Sequence, residues 1–142
     1  MAKRYYPLDA NTLFGEGVTL TATGNVQKNG SDVVLKIGKG RQDMALVIDV
    51  TSYDATDGDE LYTFLLQGAD AANFSGSIEN LAMLEIGPTA ARTGGARTSP
   101  TGRYAIPVSN DLIDEFTYLR LRLIAGGTTP SITFSAWLSE CP

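Results

Sequence analysis

The chain of 142 residues contains no histidine. That absence removes Ser-His-Asp and Cys-His nucleophile pairs, imidazole metal sites and the commonest general base at neutral pH. Cysteine occurs once, at Cys141. A lone cysteine closes no internal disulfide and builds no zinc site, and it fits a reducing, intracellular setting. Long apolar runs are also lacking: stretches such as Ala45-Leu46-Val47-Ile48 fall far short of the ~20 residues that cross a bilayer. No charged, then apolar, then small pattern opens the sequence, so neither a secretory leader nor a membrane partner is expected. Basic residues are outnumbered, 11 Lys and Arg against 16 Asp and Glu, for a net charge of −5. Duplex nucleic acid is therefore not an expected partner, because binding it rests on neutralising several phosphates with a basic face. What survives is carboxylate, lysine or tyrosine chemistry, and each needs a specific constellation.

What is present is enough for one domain spanning residues 1–142. A chain of this size buries about 68–70% of the surface its unfolded form exposes, so one core forms without staples. At 43% hydrophobic and 19% charged residues, the composition is neither disordered nor collagen-like. Charge is unevenly spread. No acidic residue lies between Glu85 and Asp111, where Arg92, Arg97 and Arg103 fall, whereas Asp54, Asp57, Asp59 and Glu60 crowd one short segment. Such polarity suits a protein that meets a partner through patches.

Period-two alternation dominates the pattern and predicts half-buried strands. Val18, Leu20 and Ala22 alternate with threonines, and Val33, Leu35 and Ile37 follow. Met44, Leu46, Ile48 and Val50 share one face of a longer run; Tyr62, Phe64 and Leu66 come next, with Leu61 and Leu65 making the opposite face apolar too. Residues 77–86 read as strand or short helix. Tyr104, Ile106 and Val108, then Leu119, Leu121 and Leu123, then Ile132, Phe134, Ala136 and Leu138 complete about eight strands. Asn29-Gly30, Asp57-Gly58, Gly94-Gly95 and Gly126-Gly127 punctuate them as turns. Another helix-like window covers Ser109–Glu115. Strands without alternating long helices predict an all-β, antiparallel β-sandwich, jelly-roll-like, or a barrel. Residues 1–14 read as an N-terminal arm carrying Lys3, Arg4, Tyr5 and Tyr6. Residues 89–102 form a long Gly/Thr/Ser/Pro/Arg loop, of a length that tends to be functional or mobile.

Each candidate for chemistry has a plainer rival. The acidic segment 54–60 invites a calcium reading, yet it lacks the spacing and late bidentate Glu of the helix–loop–helix site, so a solvated hairpin with a bulge at Gly58 and no metal is expected. Gly38-Lys39-Gly40-Arg41 is too short for a nucleotide loop and precedes a strand, which makes it a basic turn. Glu79 and Glu85 sit at even spacing as a glycosidase pair would, but no row of aromatic platforms accompanies them, so solvent-facing charges are expected. Trp137 has parity opposite to its inward-facing neighbours and points outward. Tyr118, Arg120 and Arg122 do the same on the preceding strand. A hairpin through Gly126-Gly127 puts all four on one outer surface, open to self-association or covered by a loop, since Trp and Arg are typical interface anchors. Arg92, Arg97 and Arg103, together with the N-terminal Lys3, Arg4, Tyr5 and Tyr6, are the candidates for contact with a partner surface.

Three separated stretches then carry a resemblance. Leu8-Asp9-Ala10-Asn11-Thr12-Leu13-Phe14 with the Thr-rich strand 18–23, Tyr62-Thr63-Phe64-Leu65-Leu66-Gln67 followed by Asp70 and Phe74, and Tyr118-Leu119-Arg120-Leu121-Arg122-Leu123 occur in the order seen in capsid cement (decoration) proteins of tailed bacteriophages. The chain resembles that family. The resemblance implies a jelly-roll-like sandwich bound to the outside of an assembled phage head, with the major capsid protein as partner and a small homo-oligomer, dimer or trimer, as the working unit. It implies no catalytic residue and no cofactor, and assembly in the bacterial host cytoplasm. A rival reading is a carbohydrate- or receptor-binding β-sandwich module of a phage, with another head or tail component as a further one.

Overall fold

The computed structural model describes residues 10–38, 43–109 and 116–140. A 3-10 turn at Ala10–Thr12 leads into β1 (Leu13–Leu20). Four two-residue strands follow, β2 (Gly24–Asn25), β3 (Gln27–Lys28), β4 (Ser31–Asp32) and β5 (Leu35–Lys36). The long strands are β6 (Asp43–Tyr53), β7 (Leu61–Ala69), β8 (Glu79–Ile86), β9 (Gly102–Ser109), β10 (Tyr118–Gly126) and β11 (Ile132–Glu140). No helix among the described residues is long and apolar enough to cross a membrane.

The strands build an antiparallel β-sandwich. One sheet has the order β1-β11-β6-β9 and the other β2-β10-β7-β8, with β5 also pairing β10 and β3-β4 forming a separate hairpin. The pairing runs from the ends of the chain inward: β1 with β11, β2 and β5 with β10, β6 with β9, β7 with β8. Successive pairs fall in alternate sheets, which is the topology of a jelly roll. Of the strand expected over residues 33–37, Leu35 and Lys36 form β5, and the extra short strands β3 and β4 precede it as a hairpin around the Asn29-Gly30 turn. Its φ values of 54° and 80° suit a two-residue hairpin turn whose twist matches its flanking strands.

Alternation places the core as anticipated. Met44, Leu46, Ile48 and Val50 of β6 and Ile132, Phe134, Ala136 and Leu138 of β11 face Tyr62, Phe64 and Leu66 of β7 and Leu119, Leu121 and Leu123 of β10, all buried. Phe64 and Phe134 meet edge-to-face across the two sheets, ring centroids 4.8 Å apart. The ambiguous stretch 77–86 is strand from Glu79, because β7 offers its free edge and Ile86 faces the core. Leu13 and Phe14 belong to β1 rather than to an arm, and Phe14 is core. Of the helix-like window, Ser109 ends β9 and residues 110–115 lie outside the described residues, as do Lys3, Arg4, Tyr5, Tyr6 and Lys39 to Arg41.

Two expectations about connections are corrected. β10 and β11 do not form a hairpin through Gly126-Gly127: β10 pairs β7 and β5 in one sheet, β11 pairs β6 and β1 in the other. Nor is the acidic segment a hairpin, since β6 and β7 also lie in different sheets. Both connections cross the edge of the sandwich, as the jelly-roll path demands.

Candidate interaction surfaces

Because β10 and β11 part company, Tyr118, Arg120 and Arg122 lie on one outer face and Trp137 on the opposite one. The two faces differ in kind.

On the β1-β11-β6-β9 face, register aligns Leu13, Trp137, Val47 and Ala105 in one cross-strand row. Trp137 is only 3% exposed and clusters with Ala45, Val47 and Leu13. The Arg103 guanidinium sits 5.0 Å from the indole centroid. Arg103 Nη2 also donates to Asp49 Oδ2 at 3.0 Å, which fixes it above the ring. Trp137 is therefore covered within its own chain, and its indole N–H is buried without an acceptor. Arg103, expected on the loop, is the second residue of β9.

On the β2-β10-β7-β8 face, the rows read Asn25–Arg122–Leu65–Met83, then Ile124–Thr63–Glu85, then Arg120–Gln67–Asn80. Here the arginines are engaged inside the chain. Arg120 Nε donates to Gln67 Oε1 at 2.9 Å, Gln67 Nε2 to Asn80 Oδ1 at 3.1 Å, and Arg122 Nη1 to Asn25 Oδ1 at 3.0 Å. The Arg120 guanidinium lies 4.2 Å from the Phe74 ring centroid. Burial and the neighbouring Arg122 lower its pKa from the usual guanidinium value. Phe74 holds a φ of 54°, which is unusual for a bulky residue and brings its ring under that guanidinium. Asp32, hydrogen-bonded by Gln27 and Asn25, has its carboxyl held below the usual range. Between these polar groups, apolar surface stays open: Met83 is 61% exposed and Ile124 39%, with Leu65 beside them. Sequence reading singled out neither Met83 nor Ile124; the available signal was the apolar outward parity at Leu61 and Leu65.

The segment linking β8 to β9 is pinned at both ends. Ser99 N donates to Gly87 O at 3.0 Å, Gly87 N to Ser99 Oγ at 3.1 Å, and Tyr53 Oη to Ser99 O at 2.6 Å. Arg92 is spent on this fold: its Nη1 donates to Arg97 O at 2.7 Å, and its Nε lies 3.5 Å from Glu85 Oε1, an ionic contact without hydrogen-bond geometry. Arg97 is exposed, and its guanidinium makes no hydrogen bond or ion pair among the described residues. The three arginines thus make three different sets of contacts.

The carboxylate pair does not face across a cleft. A register shift in the β7–β8 pairing puts Glu85 opposite Thr63 and Glu79 opposite Gly68, positions of opposite parity on β7. The acidic residues behave differently. Asp57, Asp59 and Glu60 bring ligand oxygens within 4.8 Å of one another, and Thr128 and Thr129 of the β10–β11 connection reach them. Hydrogen bonds from Thr128 lower the Asp59 pKa, and hydrogen bonds from Thr56 lower that of Asp54. Thr128 and Thr129 lie 69 residues from Asp59 and Glu60 in the chain, so sequence reading missed them.

No protein-family model matches the chain, and no curated protein matches its sequence.

Proposed function

We propose that the protein is a capsid cement (decoration) protein, binding the outside of an assembled bacteriophage head and stabilising the junctions between major capsid subunits. The observation that carries the reading is the pair of exposed apolar side chains on the second sheet, Met83 of β8 and Ile124 of β10 on either side of β7, set among hydrogen-bonded polar groups. Large exposed apolar side chains rimmed by polar ones are typical of surfaces that meet another protein. The jelly-roll topology, the acidic balance of the chain and its three family-like stretches support the same reading.

In this role the chain acts by adhesion, with no reaction and no cofactor. A clamp with affinity for the closed junction and little for separated subunits stabilises the closed state by linkage. Individual contacts need only be modest, because a dimer or trimer engages several junctions and gains effective concentration. The second-sheet face meets the shell, and Arg97 adds a free cation near the β8 edge, to which Arg92 and Glu85 tie the loop. Trp137, sealed under Arg103, takes no part.

The test is occupancy on empty expanded shells. Met83→Asp with Ile124→Asp is expected to remain folded by circular dichroism and to lose shell binding, while Trp137→Phe keeps it. Undiminished occupancy by the double variant overturns the reading.

A further inference from the structure

We propose that Asp57, Asp59 and Glu60 form a calcium site that fastens the β6–β7 connection to the β10–β11 connection. The site does not depend on the shell-binding reading.

The first observation is geometric. One ligand oxygen from each of the three carboxylates lies within 4.8 Å of the others. Calcium takes oxygens at 2.3–2.6 Å, so opposite ligands of one ion stand about 4.6–5.2 Å apart, and all three oxygens fit a single coordination sphere.

The second observation is independent. Glu60 is 0% exposed, and its Oε2 is buried without a hydrogen-bond partner. Its other oxygen accepts from Asp57 N at 3.2 Å and lies 3.5 Å from the Thr129 hydroxyl oxygen. No Lys or Arg among the described residues makes an ion pair with Asp57, Asp59 or Glu60. A carboxylate taken fully out of water with one oxygen unsatisfied is costly unless a cation compensates it. That unsatisfied group belongs to the acidic cluster itself. The missing partner is a cation, and an all-oxygen, carboxylate-rich set without histidine or cysteine selects a hard one.

The rest of the site is preorganised. Asp59 accepts from Thr128 through both oxygens, from N at 3.1 Å and from Oγ1 at 2.7 Å. Asp57 Oδ2 accepts from Thr129 Oγ1 at 2.8 Å. Each carboxylate oxygen that accepts one hydrogen bond keeps a lone pair for a metal. Tyr62 Oη donates to the Asp54 carbonyl at 2.7 Å and accepts from Ser131 N at 2.9 Å, and so ties the same two connections together. Gly127, at φ 103°, lets the second connection approach: a Cβ there would stand 2.6 Å from Glu60 Cα. With an ion in place, two crossings that join opposite sheets share one anchor, and waters complete the coordination shell.

The experiment uses the full chain stripped with EDTA, titrated with CaCl2 or MgCl2 by calorimetry and melted with and without each ion. One calcium per chain, a Tm rise of several degrees and about tenfold weaker magnesium binding are expected, since magnesium demands a smaller, near-octahedral shell. Asp57→Asn, at an exposed position, is expected to weaken calcium binding about tenfold or more, with an unchanged melt in EDTA. Glu60→Gln is expected to abolish binding and to melt in EDTA no lower than the parent, because its buried group carries no charge. No heat and no Tm shift at about 10 mM calcium, well above the weakest biological calcium sites, overturns the proposal. So does an Asp57→Asn chain that binds calcium as the parent does, and this variant decides the matter if Glu60→Gln fails to fold.

Discussion

The two outer faces of the sandwich are built from similar strands and end in opposite states. Both alternate an inward apolar residue with an outward one. On the β1-β11-β6-β9 face the outward residues Ala45, Val47 and Trp137 are as buried as core, with Arg103 laid over the indole and held by Asp49. On the β2-β10-β7-β8 face the arginines lie flat against Gln67, Asn25 and Phe74, and Met83 and Ile124 remain in solvent. The difference teaches that outward parity does not by itself make an interface anchor. Trp137 has the residue type of a hot spot but no surface to offer, whereas Met83 has the surface.

Five substitutions and one pH profile test this contrast. Phe134→Ala removes core shared by both sheets and is expected to cost about 3–5 kcal/mol, which sets the scale by urea unfolding. Trp137→Ala is expected to cost about 3 kcal/mol, whereas Met83→Ala stays within about 0.5 kcal/mol. Equal costs for these two would erase the distinction between a sealed and an open face. Gly127→Ala forces a side chain into φ 103° and against Glu60, at an expected cost of about 2 kcal/mol by thermal melting.

Arg103→Ala is expected to cost about 1 kcal/mol or less, because its pair with Asp49 is roughly half exposed and screened by salt. A much larger loss would show that this guanidinium, rather than the packing of Leu13 and Val47, seals the first face. The smallest effect concerns Asp32 at the border of the open face. Its carboxyl pKa is lowered by Gln27 and Asn25, so its contribution is present above the ordinary carboxylate range and fades as pH falls through the lowered value. A stability profile below about pH 4 is expected to be slightly shallower for Asp32→Asn than for the parent.

The inward faces were legible because alternation with period two reports which side of a strand is dry, and Leu46, Phe64, Leu121 and Phe134 all lie where that rule puts them. The Asn29-Gly30 turn was legible for the same local reason, since few other residue pairs accept positive φ twice. The candidate surfaces were legible only as an inventory. Arg92, Arg97 and Arg103 read as one patch, yet Glu85, solvent and Trp137 take one each. The acidic turn read as a solvated hairpin, because its threonine partners and the burial of Glu60 depend on a connection far along the chain.

By itself, then, the sequence determined that the chain is antiparallel β, which residues face inward, where it turns, and that it has no imidazole to offer. Tertiary structure alone decided which sheet each strand joins, and with that the separation of Arg120 and Arg122 from Trp137, the sealing of one face and the closing of Thr128 and Thr129 over Glu60. Alternation specifies a side but carries no address for a partner. The partner is set by which long-range pairing buries both apolar faces at once, a property of the whole chain.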